Sequence, residues 1–145
     1  MKIIKSTSVL IENLDRLENI SLIPTMGNLH EGHLSLIKEA KKISENIVFT
    51  IFINPIQFNS KHDLENYPRT LQQDISLLKE IGVTILFIPS VKDIFPIKPN
   101  LSYEMPIISN ELCGKTRIDH FKGVITVIDR LFKLIQPSYA IFGKK

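Results

Sequence analysis

Apolar residues gather in four short runs that are separated by longer segments of mixed polarity. The runs contain almost no alternating polar positions and are rich in isoleucine, valine and phenylalanine. Runs of this kind are typical of strands that are covered on both faces, as in a parallel sheet. We therefore predict buried parallel strands at Ile20–Ile23, Ile47–Ile53, Val83–Ile88 and Tyr139–Phe142.

The segments between these runs repeat their apolar residues at helical spacings of three and four. Three inward stripes are predicted: Leu10, Leu14 and Leu17; Ile37, Ala40 and Ile43; and Leu71, Ile75 and Leu78. The longest helix is predicted over Val124–Ile135, with Val124, Val127, Ile128, Leu131 and Ile135 inward. Alternating strands and helices predict right-handed βαβ units and an α/β fold with a doubly wound parallel sheet. Ligands of such folds bind beyond the carboxyl ends of the strands.

One long segment lacks both patterns. Ser90–Asn110 contains three prolines and little helical periodicity, so we expect it to form a loop. A short edge strand is expected around Leu101–Met105. The whole chain has 145 residues, which suits a single domain with a substantial core.

Composition and charge narrow the class of protein. Hydrophobic residues make up 43% of the chain, and it has no apolar run long enough to cross a bilayer. Residues 1–5 lack the apolar core of a signal peptide, and the single cysteine, Cys113, cannot form an internal disulfide. We therefore expect a cytoplasmic protein without membrane contact. The net charge of +3 favours anionic small molecules and is too small and scattered to indicate a nucleic acid partner.

The most informative segment lies between the first apolar run and the helix that follows it. Pro24–His33 reads Pro-Thr-Met-Gly-Asn-Leu-His-Glu-Gly-His. The N–H groups in the first turn of a helix have no internal partners and attract anions. Glycines allow the main chain to approach a phosphate closely. Because His30 and His33 can lie on one side of the turn and donate to phosphate oxygens, the segment predicts a nucleotide site.

Two other roles for His30 and His33 are open. As zinc ligands they would need at least one more donor, and neither His62, His120 nor Cys113 is obviously arranged to supply it. As structural residues they would cap the following helix. We assign no protein-bound metal to these residues.

Polar side chains also follow the second apolar run. Asn54 and Gln57 lie where a parallel strand would deliver them into the ligand crevice, and each amide can both donate and accept hydrogen bonds. The alternative is turn chemistry around Pro55. For three further residues, ligand contact and a structural role are equally open: Arg69, Arg117 and His120.

Five segments in a fixed order together carry a family resemblance. The first segment consists of Pro24–His33 and the following Leu-Ser-Leu-Ile, and the second reads Ile-Phe-Ile-Asn-Pro-Ile-Gln-Phe. The five are Pro24–Ile37, Ile51–Phe58, Asp63–Leu71, Leu112–Val124 and Gln136–Lys145. They closely resemble the signatures of the pantothenate synthetase (pantoate–β-alanine ligase) family. That family belongs to the nucleotidylyltransferase superfamily, whose H-x-G-H tetrad is shared with class I aminoacyl-tRNA synthetases.

The resemblance implies a Rossmann-like, doubly wound parallel sheet of the nucleotidylyltransferase (H-x-G-H) type. It implies that ATP and pantoate form pantoyl adenylate and pyrophosphate, after which β-alanine displaces AMP to give pantothenate. ATP with Mg²⁺, pantoate and β-alanine are the implied small-molecule partners, and family members commonly form homodimers. The family treats the residue that matches His33 as a proton donor, so His33 and His30 are the implied catalytic residues.

The resemblance also assigns binding residues. Those implied for ATP are Met26, Gly27, Asn28, Leu29, His30, Glu31, Gly32, His33, Gly143 and Lys145. Those implied for pantoate or β-alanine are Thr25, Met26, Asn54 and Gln57. Lys144 stands where the family has a glutamate, which leaves the charge balance of that loop open.

Residues 1–145 are expected to form the N-terminal ATP- and pantoate-binding domain of such an enzyme. The family's serine-rich ATP loop and its C-terminal lid domain do not occur in this sequence. We expect this fragment alone to bind ATP weakly and not to make pantothenate. Two other interpretations are a nucleotidylyltransferase that stops at nucleotidyl transfer and a non-catalytic binding or dimerisation module.

Overall fold

The computed structural model describes residues 1–96 and 107–143, and within 107–120 it describes the main chain only. The strands are β1 (Lys2–Ile4), β2 (Ile20–Thr25), β3 (Asn46–Ile51), β4 (Ile85–Phe87) and β5 (Tyr139–Ala140). The helices are α1 (Thr7–Leu14), α2 (Glu31–Ile43), α3 (Lys61–Asn66), α4 (Leu71–Ile81), α5 (Val91–Ile94) and α6 (Ile107–Ile135). A 3₁₀ turn spans Pro55–Gln57.

All five strands form one parallel sheet in the order β1-β4-β3-β2-β5. The predicted α/β fold with a parallel sheet is therefore confirmed. Strands β2, β3 and β4 follow one another in one direction, whereas β5 pairs with the other side of β2. The strand order thus reverses beside β2, and the crevice beyond the carboxyl end at such a switch point is where α/β sheets bind ligands.

Two hydrophobic layers cover the sheet, one on each face. The first packs α1 and α6 against the sheet and includes Leu10, Val48 and Leu131. The second packs α2 and α4 against the opposite face and includes Ile37 and Phe49. Adjacent strand residues enter different layers because side chains alternate across a strand. Both faces of β3 are therefore buried, as its unbroken apolar run predicts.

Several element boundaries differ from the prediction. Strand β1 was not predicted, because its three residues, which include Lys2, are too few to show periodicity. The predicted loop over Ser90–Asn110 is wrong at both ends, where α5 forms and α6 begins. Ser90 caps α5 with its hydroxyl, a local signal that outweighs the nearby prolines. The edge strand predicted at Leu101–Met105 lies outside the described residues.

Some residues predicted to face the core do not. Ile43 is 48% exposed at the end of α2. Leu17 lies beyond the end of α1 but packs, partly buried, against the first layer, as predicted. Tyr139 and Phe142 are exposed, and β5 is the edge strand of the sheet that the described residues form. Val124 and Ile128 of α6 are half-buried. No helix within the described residues combines the length and hydropathy needed to span a bilayer.

Candidate functional site

The loop between β2 and α2 lies at the switch point of the sheet. Gly27 and Asn28 both have positive φ, +83° and +55°, so the chain reverses sharply after Met26. Thr25 fixes the start of this turn: its hydroxyl accepts from the Gly27 N–H at 3.1 Å and donates to the Thr50 carbonyl at 2.8 Å. Glycine suits the first of these positions because its backbone adopts positive φ without penalty.

The two histidines form a reciprocal cap at the start of α2. The Gly32 N–H donates to Nδ1 of His30 at 3.0 Å, and the His30 N–H donates to Nδ1 of His33 at 3.2 Å. The capping role considered for these residues is therefore confirmed. It does not compete with phosphate contact, because a neutral imidazole that accepts at Nδ1 carries its proton on Nε2. The two ring centroids lie 4.2 Å apart.

The protonation of His33 is set by its surroundings. Partial burial, followed by the neighbouring His30, lowers the pKa of His33 from its usual value of 6.5, while the Asp74 carboxylate opposes that shift. The neutral form is therefore favoured near pH 7. In that form His33 can keep the cap through Nδ1 and donate through Nε2 at the same time.

Several main-chain N–H groups of the loop donate to partners within the protein. The N–H groups of Asn28 and Leu29 donate to the two carboxylate oxygens of Asp74, each at 3.0 Å. The His33 N–H donates to the His30 carbonyl at 2.9 Å. The N–H groups of Asn28 and His33, which directly follow Gly27 and Gly32, therefore already have partners within the protein. Asp74 is not among the site residues predicted from the sequence, although an acidic residue on the apolar stripe of α4 is a signal that could have pointed to it.

A second cluster of polar side chains follows β3. Asn54 is only 1% exposed, and its Nδ2 donates to the Gln57 side chain and to the Gly123 carbonyl, both at 3.0 Å. Its Oδ1 accepts from the Ile56 N–H at 3.1 Å. The turn chemistry considered for Asn54 is confirmed. Gln57 in turn donates from Nε2 to the Met26 sulfur at 3.1 Å, which links the 3₁₀ turn to the loop after β2.

Two cavities within the described residues flank this loop. The α6 cavity, of about 220 Å³, lies between Met26, Asn54, Gln57 and the apolar face of α6. The α4 cavity, of about 350 Å³, lies on the other side, beside Gly27 and Asp74. Thr50 lines the α6 cavity, and its fully buried hydroxyl has no hydrogen-bond partner among the described residues. Met26 borders both cavities.

Comparison with known proteins decides the family. The family model for pantoate-beta-alanine ligase matches residues 2–145. The chain belongs to the pantoate-beta-alanine ligase family. Pantothenate synthetase of Neisseria meningitidis is 50% identical over 127 residues, which is 87% of this chain and 46% of that protein. The enzyme of Idiomarina loihiensis is 44% identical over 100% of this chain and 52% of its own length.

Solved structures agree with the family assignment. The pantoate-beta-alanine ligase of Francisella tularensis, complexed with beta-gamma ATP and beta-alanine, has a TM-score of 0.86 at 39% identity. That similarity covers 97% of this chain and 55% of the other. Pantothenate synthetase from Thermus thermophilus has a TM-score of 0.88 at 38% identity and is covered over 51% of its chain. This ligase-family chain thus spans about half the length of the relatives it matches.

The remaining predicted site residues have different surroundings. The Arg69 guanidinium donates to the carbonyls of Leu64, Glu65 and Tyr67 at 2.9–3.1 Å, so it caps α3. Gly143 follows β5 and lies next to α2, where a Cβ would be 4.0 Å from Leu36. Predictions for the side chains of Cys113, Arg117, His120, Lys144 and Lys145 lie outside the described part of the chain.

Metal binding would need several ligand side chains close together. In this part of the chain no three histidine, cysteine or acidic side chains come together as ligands. His62 contacts Asn66 within α3 and is not part of the histidine cap.

Proposed function

We propose that residues 1–145 bind ATP and pantoate at adjacent positions, for a ligase that joins pantoate to β-alanine through pantoyl adenylate. The observation that carries this proposal is the position of Met26. It stands at the switch point, between the histidine cap at the start of α2 and the α6 cavity. A nucleotide held by the cap would thus present its phosphate to a carboxylate held in the cavity.

The α6 cavity suits pantoate in size and polarity. Its apolar wall, formed by Val127 and other residues of α6, can cover the dimethyl centre, whereas an amide can meet the hydroxyl and carboxylate groups. Gln57 supplies that amide. Asn54 donates from Nδ2 to the side-chain oxygen of Gln57, so the Gln57 Nε2 group is oriented as a donor. We therefore assign pantoate contact to Gln57 and Met26, and a supporting position to Asn54.

The histidine cap suits the phosphates of ATP. Both Nε2–H groups can donate to phosphate oxygens without breaking the cap, and Gly143 leaves space beside α2. Mg²⁺ enters with ATP as part of the substrate. We assign nucleotide contact to the Met26–His33 loop and to Gly143. Lys145 is assigned the same role on the family resemblance alone.

The chemistry needs positioning more than a base. An ionised pantoate oxygen attacks the α-phosphorus, the bond to the bridging oxygen breaks, and pyrophosphate leaves with the electron pair. Negative charge grows on the α-phosphate, where His33 and His30 can stabilise it. The β-alanine amine then attacks the acyl carbon, AMP leaves, and the nitrogen loses a proton.

The whole protein's properties complete the proposal. Following the family resemblance, we infer ATP as a substrate with Mg²⁺ and a homodimeric assembly. The single cysteine, which cannot form an internal disulfide, suits a cytoplasmic location. Residues 1–145 alone are expected to bind substrates without turning them over, since they span about half the length of active relatives. We propose that they form one N-terminal domain.

A pair of assays on the full-length enzyme tests this function. We expect pyrophosphate exchange into ATP only when pantoate is present, and AMP release coupled to amide formation only when β-alanine is added. A stable dinucleotide product would instead identify a nucleotidylyltransferase. Absence of binding of both ATP and pantoate to residues 1–145, in calorimetry on the folded chain, would favour a non-catalytic module and contradict the proposal.

A further inference from the structure

Asp74 is a buried acidic residue that the proposed chemistry does not use. It is 2% exposed and lies in the first turn of α4, which packs on the sheet face that also carries α2. Three and four residues away on the same helix face are Leu71 and Leu78. A carboxylate at such a position is costly unless donors surround it.

The donors around Asp74 come mainly from the loop after β2. Oδ2 accepts from the Asn28 N–H at 3.0 Å, and Oδ1 accepts from the Leu29 N–H at 3.0 Å and from the Thr70 hydroxyl at 3.1 Å. These two amides immediately precede His30. The carboxylate therefore fixes the main chain directly before the residue that caps α2.

The main chain of the loop is also closely packed at Gly27. A Cβ at Gly27 would lie 3.2 Å from Oδ2 of Asp74 and 3.2 Å from Cγ2 of Ile51. These distances are shorter than an ordinary contact, so the main chain at Gly27 passes tightly between α4 and β3. The left-handed conformation of Gly27 and Asn28 points two successive N–H groups at one carboxylate.

We propose that Asp74 is a positioning residue that clamps the loop Met26–His30 and so orients the imidazoles of His30 and His33 toward a single ligand. The orientation toward ATP rests on the proposed function, whereas the clamp itself does not. Only a carboxylate offers acceptors to both N–H groups at once. An asparagine would turn its NH₂ group toward one of them and leave two donors facing each other. The negative charge of Asp74 also opposes the lowering of the His33 pKa.

The test compares Asp74→Asn with Glu80→Gln in residues 1–145. Glu80 is exposed on the same helix, so its variant removes an equal charge without touching the loop. Amide hydrogen exchange is measured at Asn28 and Leu29, together with the ring NMR signals of His30 and His33. In Asp74→Asn we expect exchange at both amides to rise at least about tenfold more than at the sheet amides. We expect both histidine signals to shift, and Glu80→Gln to match the wild type.

Two outcomes would overturn the clamp. In one, exchange at Asn28 and Leu29 is unchanged in Asp74→Asn. In the other, exchange rises equally at all amides and the histidine signals do not move, as global destabilisation alone would produce. If Asp74→Asn does not fold, Thr70→Val replaces it, because it removes one donor to Oδ1 and should raise exchange selectively at Leu29.

ATP calorimetry on the same samples separates the two proposals. If the wild type binds ATP, Asp74→Asn should weaken the affinity by at least about tenfold, whereas an unchanged affinity would refute the orienting role. If the wild type binds no ATP, the proposed function fails. The exchange and histidine measurements then still decide whether Asp74 clamps the loop.

Discussion

Substitution of Gly123 by alanine tests how α6 shapes the pantoate cavity. A Cβ at this position would lie 3.0 Å from the Gln57 nitrogen, 3.1 Å from the Gln57 Cα and 3.1 Å from Cγ2 of Ile56. Two of these three atoms belong to the main chain and cannot rotate away, so α6 and the 3₁₀ turn must separate. Overpacking of this kind costs about 1–3 kcal/mol, and alanine in a helix recovers about 1 kcal/mol relative to glycine.

The expected net loss of stability is therefore about 0–2 kcal/mol. Separation of α6 from the 3₁₀ turn should lengthen the 3.0 Å hydrogen bond from Asn54 to the Gly123 carbonyl. Because Asn54 also donates to Gln57, the Gln57 amide should tilt as well. Loss of one well-oriented hydrogen bond, about 1 kcal/mol, should weaken pantoate binding several-fold to tenfold.

Calorimetry with pantoate and chemical denaturation on residues 1–145 measure both effects. Lys122→Ala is the matched control, because it also places alanine on this turn of α6 and Lys122 makes no side-chain hydrogen bond or ion pair among the described residues. The control should keep the wild-type affinity. An unchanged pantoate affinity in Gly123→Ala, with stability altered or not, would refute the assignment of the cavity.

Three further predictions concern the loop after β2 and the 3₁₀ turn after β3. In the full-length enzyme, His33→Ala should slow pantoate-dependent pyrophosphate exchange by about 10²–10³-fold with little change in pantoate affinity, and Gln57→Ala should mainly weaken pantoate; the reverse pattern would contradict both roles. The His33 pKa is lowered on folding, so below about pH 6.5 the folded chain binds fewer protons than the unfolded chain. The contribution of His33 to the free energy of unfolding is therefore fully present above pH 6.5 and falls as the pH drops below it. Denaturation at about pH 7.5 and pH 5 should show a weaker pH dependence in His33→Gln than in the wild type, and equal slopes would refute this. Gly27→Ala should lower stability by at least about 1–2 kcal/mol from backbone strain alone, measured by thermal melting, and an unchanged melting temperature would be incompatible with the turn.

The sequence predicts well those features that depend on local pattern. Buried apolar runs such as Ile47–Ile53 predict a parallel sheet, because only strands covered on both faces lack polar alternation. The position of Pro24–His33 between a strand and a helix predicts a ligand loop at the carboxyl edge. Strand β1 was not predicted because three residues are too few to show a hydrophobic periodicity. The exposure of Tyr139 depends on the order of the strands in the sheet, which periodicity does not encode.

Other features depend on contacts between distant residues. The loop N–H groups that donate to Asp74 lie 45 and 46 residues away in the sequence, so no local motif indicates its role. The apolar stripe of α4 does contain the signal of an acid at an inward position, and its interpretation needs the loop that α4 faces. The fit of Gly123 against Gln57 likewise follows from how α6 crosses the 3₁₀ turn, which the spacing of apolar residues does not specify.

The central claim is that ATP and pantoate bind side by side around the loop after β2. Amide chemical-shift mapping of residues 1–145, titrated separately with magnesium ATP and with pantoate, tests it most directly. The account predicts ATP-dependent shifts at His30–His33 and Gly143, pantoate-dependent shifts at Gln57, and a response of Met26 to both ligands. Shifts confined to the opposite end of the sheet, or none with either ligand at saturating concentration, would contradict it.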